Sequence, residues 1–293
     1  MDYSNCTLCP RACGVNRTAG QRGFCGMSDQ LTVARAAPHY WEEPVISGSY
    51  GSGAVFFSGC TLGCVFCQNQ TISHEKFGRE LTSAQLRQVF ETLIDEGVQN
   101  INLVTPTHFL PHILPALQPK LPVPVVYNCG GYESVETLRQ LEGLVDIYLP
   151  DLKYSHNELA KKLSKAPDYV EISRKAVLEM YRQTGPAVIA DGVMKRGVIL
   201  RHLILPGEID NSLGVLDWVA EHFDPGTVLF SLMSQYTPVG SQRPPLDRPI
   251  TELEYDAVLS WMELLGIEDG WTQDFQAAAA EYIPQWNLEG LNF

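Results

Sequence analysis

Ala54-Val55-Phe56-Phe57-Ser58-Gly59-Cys60-Thr61-Leu62-Gly63-Cys64-Val65-Phe66-Cys67 is the stretch on which the fold turns. Its first part is a short apolar run with β-branched and aromatic residues, and its second is a glycine-punctuated loop bearing three thiols. Working outward, runs of strand type recur at Asn100 to Thr105, Val123 to Asn128, Val145 to Leu149, Val198 to Leu205 and Thr227 to Ser234. Segments of helical period separate them. Thr82 and Gln85 form a capping-box pattern ahead of Leu86, Val89, Phe90, Leu93 and Ile94, which share one helix face. Helices are also predicted at Ser134 to Leu141, Leu213 to His222 and Thr251 to Leu265, the last with Thr251 and Glu254 as a second capping box. Ser155 to Lys165 and Tyr169 to Gln183 read as two successive helices, and Gln273 to Tyr282 as a short one. The alternation predicts an α/β chain of six βα units around a parallel sheet.

Composition narrows what such a sheet can serve. The 293 residues hold 21 Lys and Arg against 34 Asp and Glu, a formal charge of -13, so extended binding along a nucleic-acid backbone is not expected. Apolar residues make up 45%, enough for a sizeable buried core. No apolar run is long enough to span a membrane, and Met1-Asp2-Tyr3-Ser4-Asn5 lacks the basic start of a secretory signal, so a cytoplasmic protein without membrane contact is expected. In that reducing setting eight cysteines point to metal binding or catalysis rather than disulfides.

Ligands in βα folds gather at the carboxyl ends of the strands. There the sequence concentrates its unusual chemistry: the three thiols, then Thr105-Pro106-Thr107-His108, Asn128-Cys129-Gly130-Gly131, Asp151-Leu152-Lys153, Pro206-Gly207 and Gln235-Tyr236. Cys60, Cys64 and Cys67 are spaced C-x3-C-x2-C, and the loop holds no fourth thiol to complete a tetrahedral zinc site. Three cysteines on a four-iron cube would instead leave one iron open to a small molecule. This motif, with Phe66 before the last cysteine and after the first strand of a βα series, resembles the radical S-adenosylmethionine superfamily. Together with Glu42-Glu43-Pro44, Gly51-Ser52-Gly53, Phe56 to Cys60 and Cys67-Gln68-Asn69, the chain is similar to the pyruvate formate-lyase-activating-enzyme-like family.

The resemblance implies a partial (βα)6 barrel of TIM type, residues 51–293 with a helical C-terminal tail, preceded by a Cys-rich metal-binding segment and lead-in over residues 1–50. It implies a [4Fe-4S] cluster on Cys60, Cys64 and Cys67 that cleaves S-adenosylmethionine to a 5′-deoxyadenosyl radical, with Phe66 beside it. Thr105 and Thr107 stand where relatives offer groups to the methionine amine, although the commoner Gly-Gly-Glu stretch is missing. Asp151-Leu152-Lys153 matches the Asp-Leu-Lys of glycyl-radical activators, whose lysine meets the methionine carboxylate. Asn128 is a candidate for the ribose, Gln235 for the carboxylate, and His202 for a proton carrier or a structural histidine. Strand alternation sends Arg201 and His202 to opposite faces, and the sequence leaves open which points inward. Gly130-Gly131 would let the chain pass close to the cofactor, and Cys129 reads as a buried thiol.

Cys6-x2-Cys9-Pro10-x2-Cys13-x11-Cys25 is a second thiol set. A metal there would replace the core that about 25 residues cannot build, and zinc and an iron–sulfur cluster both fit the spacing. Three function classes follow: radical chemistry on a protein or peptide as in glycyl-radical activation, radical modification of a small metabolite, or a non-catalytic metal-binding module. The enzyme readings call for an electron donor such as flavodoxin or ferredoxin.

Overall fold

The computed structural model describes residues 2–240, 242–273, 275 and 284–293. Its strands are β1 (Leu31–His39), β2 (Ser52–Phe57), β3 (Arg79–Leu81), β4 (Ile101–Val104), β5 (Val125–Cys129), β6 (Ile147–Pro150), β7 (Val188–Ala190), β8 (Val193–Leu203), β9 (Leu229–Met233) and β10 (Gly270–Thr272). They form one open sheet in the order β10-β9-β8-β6-β5-β4-β2-β1-β3, with β7 paired on β8. Neighbours from β2 to β10 are parallel, whereas β1 is antiparallel to both β2 and β3.

The central parallel strands β2, β4, β5 and β6 are buried on both faces, which is why they read as apolar runs. One face meets the helices. Leu86, Val89, Phe90 and Leu93 of helix Ser83–Asp95 are buried in the same core as Leu103, Tyr127, Tyr148, Val198, Leu200 and Phe230. That helix starts where expected, with both arms of the Thr82 and Gln85 capping box formed. Helices Asn157–Ser164, Tyr169–Thr184, Ile209–His222 and Glu252–Leu264 also follow the sequence pattern. Ser134 to Leu141 is split into an α-helical turn, Val135–Leu138, and a 3-10 turn, Arg139–Leu141.

The other face curves around an interior that the chain itself fills. Val45 and Ile46, on the short helix Pro44–Ser47, pack among Val126, Ile147, Leu149, Ile199 and Leu229. Proline at the first helical position and Glu43 as N-cap let this single turn start abruptly after an extended entry.

The lead-in over residues 1–50 contains β1, which pairs with β2 from Val33 and Phe57 down to His39 and Ser52. The expected six strand–helix units run from β2 to helix Glu252–Leu264, and Gly270–Thr272 then adds a further parallel strand beside β9. Helix Leu110–Ala116 carries Pro111 and Pro115 and was not expected. The helix expected at Gln273 to Tyr282 lies largely outside the described residues.

Candidate active site

The three-thiol loop leaves β2 through Gly59, whose φ of 82° and proximity to Met27 and the Cys25 carbonyl exclude any side chain. Cys64 is buried, and Cys60 and Cys67 are half-buried. Each sulfur has a donor beside it. The Ser164 hydroxyl donates to Cys64 Sγ at 2.9 Å, the Leu62 N–H approaches Cys60 Sγ at 3.4 Å, and Ser73 Oγ lies 3.3 Å from Cys67 Sγ. Burial raises the Cys64 thiol to about 12, Lys153 pulls it down, and Cys60 and Cys67 push it up again. The three thiols and one lysine therefore share one electrostatic neighbourhood.

Lys153 enters from the loop after β6. Its Nζ sits 2.5 Å from Asp151 Oδ2. Burial works against its charge, yet Asp151 and Cys64 outweigh that and raise it above its ordinary value. Burial likewise opposes the Asp151 charge, but Arg201 and then Lys153 keep the carboxyl below its usual range. Phe66, Asp151, Lys153, Leu203, Leu205 and Met233 line a narrow cleft at this rim. Phe66 is itself buried, 6.3 Å from the ring of Tyr236.

Arg201, not His202, points into the interior. Its guanidinium meets Asp151 Oδ1 at 2.9 Å, Asn128 Oδ1 at 2.6 Å and Glu42 Oε2 at 3.3 Å. The bridge between Asp151 and Arg201 sets this register. His202 is fully buried on the opposite face, with Nδ1 2.6 Å from the Leu152 carbonyl and Nε2 2.8 Å from Ser212 Oγ. Both nitrogens are engaged and burial lowers its pKa to about 4.

The other expected contacts differ in freedom. Thr105 holds φ of 59°, strained for a β-branched residue, and its N–H donates to the Asn128 carbonyl. Thr107 is buried, accepting from Tyr127 OH at 3.0 Å and donating to Glu133 Oε1 at 2.9 Å. Its hydroxyl thus serves a buried network rather than the rim. Asn128 is committed to Arg201 and Glu42. Gly130 and Gly131 bring the loop close to Leu62 and the Asp151 carbonyl. The Gln235 carbonyl accepts from Gln68 Nε2 at 3.0 Å, tying the loop after β9 to the end of the thiol loop. Cys129 is buried, as expected.

Sequence reasoning left Glu42 and Glu43 without a definite place. Both reach the interior from beneath, where burial raises their carboxyls and Arg201 pulls them back. It did not find Arg11, whose Nε donates to the Thr61 carbonyl at 2.9 Å inside the thiol loop. Their signal was an acidic pair and a lone arginine in otherwise unpatterned segments, with partners far off in sequence.

The donor set fits an iron–sulfur cube with one open corner. Three soft sulfurs each have a hydrogen-bonding neighbour, and hydrogen bonds to sulfur are what tune such clusters. Among the described residues no three His, Cys, Asp or Glu groups stand close enough to share a single ion. A cube does not require this, because each cysteine binds a different iron.

A mostly parallel α/β sheet with three thiols and a half-buried Asp–Lys pair on its carboxyl rim defines an enzyme class built for radical generation at an iron–sulfur cluster. Residues 54–219, more than half of the chain, match the Radical SAM superfamily, and the chain belongs to it. A protein of Methanocaldococcus jannaschii described as uncharacterised, MJ0674, is 30% identical over 282 residues, 91% of this chain and 76% of that protein. Among solved structures, Streptococcus suis SuiB bound to S-adenosylmethionine aligns at a TM-score of 0.50 and 12% identity, over 73% of this chain and 48% of that chain. SuiB bound to the precursor peptide SuiA aligns at 0.50 and 12%, over 73% and 46%. This chain thus spans about half the length of SuiB, and the likeness concerns the fold.

Proposed function

We propose that this enzyme directs its radical chemistry at a protein or peptide, in the manner of glycyl-radical activation. When bound, the cluster and S-adenosylmethionine supply one-electron cleavage of the sulfonium and a 5′-deoxyadenosyl radical that abstracts hydrogen. Cys60, Cys64 and Cys67 hold three corners of the cluster. Lys153, kept charged by Asp151, lines the rim cleft with Phe66, where it would meet the methionine carboxylate. Thr105 presents backbone groups from its strained turn, Phe66 forms an apolar wall, and Arg201 fixes Asp151 and Asn128 from below. Electrons come from a flavodoxin or ferredoxin. A second metal, zinc or an iron–sulfur cluster, on Cys6, Cys9, Cys13 and Cys25 belongs to the same reading.

The observation that supports this proposal is the half-buried Asp151–Lys153 pair, in the Asp-Leu-Lys pattern of the activators, lining one cleft with Phe66 of the thiol loop. The anaerobically reconstituted enzyme, with dithionite and S-adenosylmethionine, is expected to yield 5′-deoxyadenosine, and Cys60→Ala none. With candidate partner proteins deuterated at glycine, deuterium should reach deoxyadenosine and a glycyl electron-spin signal should appear. Transfer from small metabolites alone would overturn the protein target.

A further inference from the structure

The crossover that leaves β6 carries two helices, Asn157–Ser164 and Tyr169–Thr184, where one would return the chain to the sheet. The first of them ends against the thiol loop. Val65 N–H donates to the Leu163 carbonyl at 2.9 Å, and Arg11 donates to the carbonyls of Thr61 in the loop and Ser164 at the helix end, each at 2.9 Å. These bonds fix the last helical residue, Ser164, beside Cys64.

Ser164 is fully buried, with its hydroxyl 2.9 Å from Cys64 Sγ and 2.5 Å from the Tyr154 hydroxyl. A sulfur bound to iron carries no proton and can only accept, so the single Ser164 proton goes to Cys64. The Ser164 oxygen must then accept from Tyr154, whose phenol keeps its proton at neutral pH. Donation therefore runs one way, from Tyr154 to Ser164 to Cys64. Tyr154 is held in turn by Tyr169, whose ring meets it edge-on at 5.1 Å and whose hydroxyl accepts from the Lys153 N–H at 3.0 Å. The row is rooted in the loop that carries Asp151 and Lys153.

This placement is unlike that of an ordinary buried hydroxyl on a helix, which bonds the carbonyl four residues back, as Thr184 does with Met180 at 3.0 Å. Ser164 turns to a sulfur instead. The donors beside Cys60 and Cys67 lie two and six residues further along the chain, whereas the donor to Cys64 comes from 100 residues away. Hydrogen bonds to a ligand sulfur favour the more negative, reduced state of a cluster and so raise its reduction potential. Two hydroxyls in series polarise one another in a dry interior.

We propose that Ser164 and Tyr154 form a two-hydroxyl relay that sets the electron affinity of the cluster through Cys64, with Tyr154 as the positioning residue that aims Ser164. The step they govern is uptake of one electron from the reductant, a flavodoxin or ferredoxin in the proposed function and dithionite in the test. No bond is made or broken in it, and both hydroxyls keep their protons. The inference rests on Cys64 as a cluster ligand, and the experiment tells failure of that assignment from failure of the relay.

The reconstituted enzyme, without S-adenosylmethionine, is titrated anaerobically against potential while the electron-spin signal of the reduced cluster is followed. Tyr154→Phe removes one hydroxyl and is expected to shift the ratio of reduced to oxidised cluster at fixed potential about threefold toward the oxidised form. Ser164→Ala should shift it about tenfold, a fall of about 59 mV for one electron. Because Tyr154 acts through Ser164, the double variant should match Ser164→Ala alone. Iron per chain should equal that of the unsubstituted enzyme, since no ligand is touched; a merely structural role would lower the iron and leave the potential where it was. Unshifted potentials overturn the relay, and additive shifts in the double variant overturn the positioning role of Tyr154. Should Ser164→Ala fail to fold, Tyr154→Phe alone decides. A Cys64→Ala protein that keeps the full cluster signal would remove Cys64 as a ligand, and the assignment beneath the inference falls instead.

Discussion

Lys153 is the side chain on which the cofactor assignment turns, because its charge is committed to Asp151 on one side and faces the cluster loop on the other. Lys153→Ala should leave the cluster absorbance intact, since no sulfur ligand is touched. It should weaken S-adenosylmethionine binding by about ten- to a hundredfold, the worth of one charge-assisted hydrogen bond, measured by titrating the cofactor-dependent electron-spin signal. Unchanged affinity would refute the role. Glu133 offers a pH test. Burial pushes its carboxyl from 4.5 up to about 8, while Thr107, Tyr127 and Cys129 pull it back. Folded chains thus keep a proton that unfolded chains release, so this group's stabilisation is whole below pH 4.5 and is lost as pH rises through about 8. Within that window the loss is at most about 1.4 kcal/mol per pH unit. Glu133→Gln should flatten this part of the profile, checked by denaturant midpoints of both proteins from pH 5 to 8. The thiol motifs were legible residue by residue because their ligands are close in sequence. Arg11, Arg17 and Arg201 were not, because each acts through partners from distant segments, and strand alternation alone gave Arg201 and His202 opposite faces without saying which was inside.

At the scale of elements, short apolar runs with capped helices between them identified β2, β4, β5, β6, β8 and β9, since strands buried on both faces carry no polar alternation to confuse the pattern. β1 escaped because Arg35 and Pro38 interrupt its apolar residues, although it is the long antiparallel partner of β2. β3, β7 and β10 have three residues each, too few for periodicity to register. Helix Pro44–Ser47 was hidden for the same reason, yet it plugs the sheet's interior and carries Glu42 and Glu43 at its entry. Ile46 is fully buried there. Ile46→Ala is expected to cost about 2–5 kcal/mol in chemical unfolding, the range for a large-to-small change in a filled core. A cost below 1 kcal/mol would mean that the plug is loosely packed, contrary to its burial.

At the scale of the molecule, an open sheet has an edge to protect, and here the carboxyl-terminal residues run along the side of β1 and β3 while the amino-terminal segment lies over the loops after β2, β4, β5 and β6. The amino-terminal thiol segment seats Met27 and Cys25 against Gly59. Residues 284–293 run along β1: Ala36 N–H donates to the Glu289 carbonyl at 2.9 Å, Arg35 pairs with Glu289 at 2.8 Å, and Arg79 donates to the Leu291 carbonyl. Gly290 allows the close approach, since a Cβ there would overlap the Ala36 carbonyl. Trp286 meets Phe56 edge-on at 5.3 Å, and Leu291 is completely buried. Leu291 is the anchor that distinguishes a structural tail from an appended one. Leu291→Ala should lower stability by about 2–5 kcal/mol and make residues 284–293 the first site of limited proteolysis, whereas Asn292→Ala, an exposed neighbour, should change neither. If both variants resist protease and denaturant alike, the tail does not close this edge.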